Sequence, residues 1–345
     1  MGGYEKNVAE LSRRLVQKGH QVAVVTCKID DSLARESVNG VIVHRVPCKL
    51  LLDGLYPVPY LPLRQIGNNF DVSITQTRFF PLSFLGALHS VRHKIPLIHV
   101  ERGSRHPALA NRAMSLASRL YDHTIGNWIV RTAQVTVGVS DAACEFARHL
   151  GARRVVRIPN GVTDTDCFQT VHNNPTILYV GRLIRAKGVQ DLIAVCDRIG
   201  GCDLIIAGDG PYRRYLQSIS DERPWFCGSV SGNLLNSLYH AADVFVNPSY
   251  SEGLPTSVME AAVAGVPIVA TDVGGTREIV QHGVTGRLVK PHDANALRDA
   301  IIWTLNNKDE ARQRALKCRE YVLKEFSWDK VTDRYCTLLA SVCAK

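Results

Sequence analysis

No run of eighteen apolar residues occurs in these 345 residues, which excludes a membrane-spanning helix. The start, Met1-Gly2-Gly3-Tyr4-Glu5, lacks the basic flank and apolar run of a signal peptide. Ten cysteines lie scattered from Cys27 to Cys343, with no CxxC pair and no Cys/His grouping at zinc spacing. That pattern predicts reduced thiols packed as small apolar residues in a cytoplasmic chain. No GxGxxG follows a strand pattern, so a dinucleotide oxidoreductase is disfavoured. Solenoid-length repeats and low-complexity tracts are missing too. One further absence is structural. Gly2-Gly3 followed by a helix reads as the second half of a strand–turn–helix unit whose first strand is missing. The start being placed too far downstream, or the sequence being a fragment, is favoured over a sheet one strand short.

What is present fits two domains of ordinary size, with 46% hydrophobic and 21% charged residues. Lys and Arg exceed Asp and Glu by 41 − 32 = +9, which suits a phosphate-bearing ligand, an anionic membrane surface or nucleic acid. Net charge is the only feature behind nucleic-acid binding, so no such partner is expected.

Tyr4 to Lys18 has the spacing of an amphipathic helix, with Val8, Leu11, Leu15 and Val16 on one face. Gln21–Cys27, Val41–Arg45, Asp71–Thr75, Leu97–Val100, Gln134–Gly138 and Val155–Ile158 read as strands. Leu50 to Leu63 is apolar but carries Pro57, Pro59 and Pro62. It reads as a loop that either covers the core edge or lines an acceptor site. Ser140 is the expected N-cap of a helix ending near Gly151.

The second half repeats the alternation with strands at Thr176–Val180, Asp203–Ala207, Val244–Asn247 and Ile268–Thr271. Two surface helices are expected at Ala294–Asn307 and Glu310–Glu325. The fold class is therefore α/β. The predicted organisation is a domain over 1–170, a polar linker at Val171–Pro175, a domain over 171–327, and a helix over 328–345 packing back on the first.

Ligands of open α/β sheets bind at the carboxyl ends of the strands. Three features of the second half fall on such ends. Val180-Gly181 runs into Arg182, with Lys187-Gly188 following; Ala207 runs into Gly208-Asp209-Gly210-Pro211; Asn247 runs into Pro248-Ser249. From Ser249 to Glu278 the chain reads SYSEGLPTSVMEAAVAGVPIVATDVGGTRE. Glu252 and Glu260 bracket a Gly-Leu-Pro turn that opens a helix, Pro255 suits its first turn, and Ser257 and Glu260 have capping-box spacing. A helix start offers free N–H groups to a phosphate, and the glutamates can accept from sugar hydroxyls. The residues thus suggest a nucleotide-sugar site. The bland alternative is that Glu260 caps its helix while Glu252, Arg182 and Lys187 are solvated loop charges.

VGRLIRAKG, IIAGDGP, SEGLPTSVMEA, GVPIVATDVGGTREIV and GVTGRLV, with PNGVTDTDCF between the halves, resemble the retaining glycosyltransferases of family 4 (glycosyl transferases group 1). The likeness covers nearly the whole chain and is tightest from Pro159 to Pro291. It implies the GT-B fold, two Rossmann-like doubly wound domains facing across a cleft. It also implies that Arg182 and Lys187 grip the diphosphate, that Glu252 contacts the transferred sugar, and that Glu260 holds the ribose. The amides of Leu254, Thr256 and Ser257 would face the phosphates, with Pro255 contributing none. Gly181 and Gly210 would border the donor, Gly2-Gly3 would close on it from the first domain, and Val230 would lie where the base sits.

Where many relatives carry His-Gly, this chain reads HVERGSRHP, placing Arg102 before Gly103 with His99 and His106 nearby. His106 is a candidate catalytic group or a satisfied structural one; Arg102 could instead meet an anionic acceptor or the donor phosphate.

The implied activity is transfer with retention from a UDP- or GDP-sugar to a glycan or lipid-linked acceptor, in glycolipid, lipopolysaccharide or other polysaccharide synthesis. Departing phosphate would take the acceptor proton, since no carboxylate nucleophile is evident. Other readings are a catalytically silent nucleotide-sugar binder and another enzyme of this scaffold, a phosphorylase or epimerase. Asp164-Thr165-Asp166 imitates a DxD metal motif but lies between the halves; it reads as a polar turn, and no metal or other cofactor is expected. Arg105 to Arg131 holds four arginines and a single acid, Asp122. Its stripe of Leu109, Ala113, Leu116 and Leu120, with Arg112 and Arg119 on another side, reads as a dock for anionic lipid on the inner face of a membrane, or as a solvated helix.

Overall fold

The computed structural model describes residues 3–51, 56–60, 67–106, 112–166, 174–221 and 224–344. The chain divides into two compact units, Met1–Gly161 with Trp328–Lys345, and Val162–Ser327. Gly2, Leu109, residues 52–55 and 61–66 of the apolar stretch, and 171–173 of the linker lie outside the described residues. So do the side chains of Arg112 and Ala113.

In the first unit α1 (Gly3–Gln17) buries Leu11 and Leu15 and is followed by β1 (Ala23–Lys28), β2 (Arg35–Val38), β3 (Val41–Leu51) and β4 (Tyr56–Pro59). β1 lies parallel to β3, whereas β2 and β4 pair antiparallel with it. The loop expected over Leu50–Leu63 is thus corrected in part: Leu50 and Leu51 continue β3, and Pro57 and Pro59 sit in the returning strand. A proline lacks the ladder N–H but is tolerated on a strand paired along one side.

A second sheet is wholly parallel, in the order β5 (Ser73–Gln76), β6 (Leu97–Glu101), β7 (Val135–Gly138), β8 (Val155–Arg157). It alternates with α2 (Pro81–His93), α3 (Arg112–Tyr121), α4 (Asn127–Thr132) and α5 (Asp141–His149). Every residue of β6 and β7 is buried, as in a strand covered on both faces. Ser140 caps α5 by accepting from the Ala143 amide. Of the apolar stripe on α3, Leu116 and Leu120 face water. Leu116 is 70% and Leu120 65% exposed, while Ser118 is buried.

The second unit holds β9 (Thr176–Val180), α6 (Val189–Ile199), β10 (Asp203–Ala207), α7 (Arg213–Ile219), β11 (Trp225–Gly228) and α8 (Gly232–His240). It continues through β12 (Val244–Asn247), α9 (Thr256–Val263), β13 (Ile268–Thr271), β14 (Arg287–Val289), α10 (Ala294–Asn306) and α11 (Lys308–Phe326). All six strands are parallel, in the order β11-β10-β9-β12-β13-β14. Strand order therefore reverses between β9 and β12, the switch point at which doubly wound sheets seat ligands. Edge strand β11 went unread in the sequence because Trp225-Phe-Cys-Gly is short and half exposed. Ile177, Tyr179, Leu204, Ile206, Val244 and Val246 pack against α6, α7 and α10 in the main core. The last helix, α12 (Trp328–Cys343), belongs to the first unit. Its Asp329 lies 2.8 Å from Arg14 of α1, and its Asp333 2.8 Å from Lys18 just past the end of α1.

Beneath the carboxyl ends of β5 and β6 lies a buried charge network. The Arg78 guanidinium meets Asp122 at 2.6 Å and Glu101 at 2.8 Å, and its plane rests on the Phe146 ring. A π-turn at Asp122–Gly126 sets the position of Asp122. Burial opposes ionisation of Glu101, but Arg78 and then His99 outweigh it and hold the carboxyl at about 2. Because the folded value lies below the ordinary 4.5, the associated stability is fully present above pH 4.5 and is lost as pH falls toward 2. Glu101→Gln should lower the thermal midpoint at neutral pH, by roughly 3 kcal/mol in stability, with the gap to wild type narrowing below about pH 4. Thermal melts between neutral pH and about pH 2.5 measure it; a pH-independent gap would contradict the assignment.

Candidate active site

Three strand ends interlock at the switch-point rim of the second unit. Gly208 (φ +145°) lies so close to the Gly181 carbonyl that a Cβ would stand 1.9 Å from its oxygen. Gly188 (φ +67°) leaves the same scant room beside the Pro248 carbonyl, 2.1 Å. Only a residue without a side chain permits either approach. Gly210 backs onto the Leu183 carbonyl in the same manner. The loops after β9, β10 and β12 are thereby fixed against one another by backbone.

On this frame Lys187, ending a short 3₁₀ turn after β9, directs its Nζ to Oε1 of Glu252 in the loop after β12, at 2.6 Å. The Glu252 side chain is 8% exposed and that of Lys187 21%. Arg182 is exposed, and its carbonyl accepts from the buried Tyr179 hydroxyl at 3.1 Å. Tyr250, which the sequence reading passed over, ties the two loops from behind. Its amide donates to the Ala186 carbonyl at 2.8 Å, its hydroxyl donates to Asp191 at 2.8 Å, and Gln190 donates to that hydroxyl at 2.7 Å. Its ring lies against His292, centroids 3.8 Å apart. Burial, then the Asp191 carboxylate, push the Tyr250 phenol above its ordinary range, so it stays a donor. An aromatic residue two positions before Glu252 was the available signal.

The capping box is corrected. Pro255 is the N-cap of α9 and makes no side-chain cap bond, which places Thr256 and Ser257 within the first turn. Glu260 instead accepts from the Tyr239 hydroxyl at 3.0 Å, and that hydroxyl also reaches the Ser257 carbonyl at 3.2 Å. Tyr239 is sealed, and burial followed by the Glu260 charge holds its phenol well above the usual range. One edge of Glu260 is thus fixed by α8. Leu254 is buried under the turn, and the Gly275 amide donates to the Gly253 carbonyl at 2.8 Å, docking the Gly274–Glu278 turn on it. Below, Ser249 donates to the Asn247 side chain at 2.7 Å, and Thr271 donates to the Ser249 carbonyl. Val230 lies half-buried just past β11.

The first unit has its own rim. Arg102, following β6, bonds Asn160 at 2.5 Å, Gln76 at 3.2 and 3.3 Å and Asn7 at 3.4 Å, with its guanidinium 5.3 Å from the Tyr4 ring centroid. Burial draws that guanidinium below its ordinary range, and Tyr335, Tyr4 and Glu101 oppose the shift. Gln76, Asn160 and Asn7 went unnoticed because neutral amides carry no motif. His106 meets Asp122 at 2.6 Å through Nδ1 and packs beside His123, Phe146 and His149. Gly103 donates its amide to Glu101 at 2.7 Å. His99 is completely buried with Nδ1 2.9 Å from Thr75, so it presents no surface to a ligand. A strand residue two before the rim points into the layer below it. Asp164 of the DxD-like triplet pairs with Arg319 at 2.8 Å.

Comparisons with known proteins agree with this architecture. The family model described as Glycosyltransferase Family 4 matches residues 1–166, and that of glycosyl transferases group 1 matches 164–321. The chain is similar to the GDP-mannose-dependent alpha-(1-6)-phosphatidylinositol monomannoside mannosyltransferase of Mycobacterium tuberculosis, at 27% identity over 374 residues, 98% of this chain and 94% of the relative. In fold it resembles sucrose-phosphate synthase from Thermosynechococcus elongatus (TM-score 0.83, 23% identity, 99% of this chain and 94% of that one). It also resembles HepE of Anabaena, solved with UDP-glucose (TM-score 0.79, 19% identity, 99% and 96%). With its two Rossmann-like parallel-sheet units and these matches along nearly its whole length, the chain belongs to the retaining, nucleotide-sugar-dependent glycosyltransferases of family 4, the glycosyl transferases group 1, with the GT-B fold.

Proposed function

We propose that the protein moves a hexose from a UDP- or GDP-sugar to a glycan or lipid-linked acceptor, with retention of anomeric configuration and without a metal. The observation that carries this reading is the Lys187–Glu252 contact at the β9/β12 switch point, beside Arg182 and the first turn of α9. Arg182 and Lys187 bind the diphosphate and stabilise the charge that builds on it as the sugar departs. First-turn amides of α9 have no intrahelical partner and add donors on the same side. Glu252 accepts from the sugar hydroxyls, and Glu260, steadied by Tyr239, from the ribose. Departing phosphate takes the acceptor proton. In the first unit, Arg102 and His106 follow β6 at the carboxyl end of its sheet, as acceptor-side groups would.

Donor identity separates the relatives: the mycobacterial enzyme is named for GDP-mannose, and HepE was solved with UDP-glucose. A panel of UDP- and GDP-sugars with acceptor extract, run in EDTA, should release nucleotide together with a glycosylated product for one donor. Lys187→Ala should lower kcat/KM by about a hundredfold or more, as removal of a transition-state donor does. Nucleotide binding without turnover would favour the silent-binder reading, and activity restored only by manganese would contradict metal independence.

A second element of the proposal is peripheral attachment to an anionic membrane. Among the described residues no helix is long and apolar enough to cross a bilayer. What favours a surface dock is α3, whose Leu116 and Leu120 project into solvent beside the exposed Arg119. The protein should pellet with phosphatidylglycerol-containing vesicles at low salt, and not with phosphatidylcholine alone. Leu116→Glu with Leu120→Glu should abolish pelleting without changing the thermal midpoint, because neither side chain is packed. Unchanged pelleting would remove α3 from the dock.

A further inference from the structure

The Lys187–Glu252 pair has a consequence for which nucleotides the site retains. Resting on the donor-site reading above, we infer that Glu252 sets a preference for the sugar-bearing nucleotide over the spent nucleoside diphosphate, by competing with the diphosphate for Lys187. A phosphate held by Lys187 comes to the same ammonium that the Glu252 carboxylate holds at 2.6 Å. Backbone contacts hold the two loops together around this pair. Gly188 is pressed on the Pro248 carbonyl, and the Tyr250 amide bonds Ala186, so the loop after β12 is fastened to the β9 loop on either side of Lys187, just ahead of Glu252. The carboxylate is also the less solvated partner, short and 8% exposed, whereas Lys187 has a long stem and is 21% exposed. Phosphate and carboxylate therefore share one cation at close range.

Two differences between donor and product then act in the same direction. An intact sugar nucleotide brings hydroxyl donors that can replace Lys187 as the partner of Glu252. The released nucleoside diphosphate has lost those sugar hydroxyls and keeps only its ribose hydroxyls, which the donor-site reading gives to Glu260, and its free terminal phosphate carries about one more negative charge at neutral pH. Glu252 is thus compensated while the sugar is attached and left facing an additional anion once it has gone. The carboxylate that orients the sugar also weakens retention of the product.

Calorimetric titration of the full chain with UDP, GDP, UDP-glucose and GDP-mannose tests this. Glu252→Gln should bind the preferred bare nucleoside diphosphate roughly five- to tenfold more tightly than wild type does, from removal of one partly buried repulsion. The matching sugar nucleotide should gain nothing or bind more weakly. Glu252→Asp, which draws the carboxylate back from Lys187, should shift both affinities in the same directions, and it serves should the glutamine variant fold poorly. Adding Lys187→Met should erase the gain. The inference is overturned if a folded Glu252 variant binds bare nucleotide no more tightly, or if bare and sugar nucleotides tighten equally. Failure of wild type to bind any of the four ligands is a different result: it removes the donor-site reading, and this inference with it.

Discussion

The interaction on which the second unit's site depends is the contact between a mostly buried carboxylate, Glu252, and the single ammonium of Lys187. Charges this little exposed persist only when paired. The pairing requires loops from two strands that are neighbours in space and far apart in sequence. The reversal of strand order between β9 and β12 makes them neighbours. Close backbone approach at Gly181, Gly188 and Gly208 then brings the loops near enough for side chains to meet. Tyr250 and Tyr239 complete the arrangement from the rear, each spending its hydroxyl on a carboxylate of the rim or of the helix beneath it. A second layer of phenols suits this task, since burial keeps them protonated and therefore donors.

This hierarchy explains which parts were legible in the sequence. Covered on both faces, the strands read as short unbroken apolar runs, so TILYV, DLIIA, VFVN and IVAT could be placed within a residue or two. Glycines forced by backbone contact leave fixed letters, and those letters carried the family resemblance. Lateral strand order is a matter of non-local pairing, and no local pattern records it; the switch point became visible only with the sheet. Ser257 and Glu260 show the converse error. Their spacing satisfied a local rule, but a tertiary partner, the Tyr239 hydroxyl, claimed Glu260. Leu50 to Pro59 failed for a similar reason. Prolines argue against strands in general, yet an edge strand paired only along one side tolerates them.

The rim of the first unit was less legible because it is built from side chains that no motif links. Arg78, Glu101 and Asp122 come from three separated segments and neutralise one another below the surface. Asp122 was noted only as the lone acid of its stretch, and Glu101 only adjoins Arg102. The two arginines nevertheless divide the work in a way their partners make plain. Arg78 is 3% exposed and saturated by carboxylates, which makes it a structural cation. Arg102 is bonded by amide oxygens of Gln76, Asn160 and Asn7, which fix its direction without cancelling its charge.

That difference gives physical content to the replacement of the family's usual His-Gly by Arg-Gly at this strand end. A histidine there would carry charge only below about pH 6.5. An arginine carries it at every physiological pH, and neutral tethers hold the planar fork in one orientation. Holding a partly buried cation on amides costs solvation: burial draws the Arg102 guanidinium down, and the nearby Tyr335, Tyr4 and Glu101 offset that only in part. Such a cost would be recovered by an anion bound there, since a phosphate or carboxylate would restore to the guanidinium what burial removes. The rim of the first unit is thus electrostatically incomplete in a manner the rim of the second is not. There Lys187 already has Glu252, which a phosphate bound as proposed would have to displace; at Arg102 an anion would displace only amides.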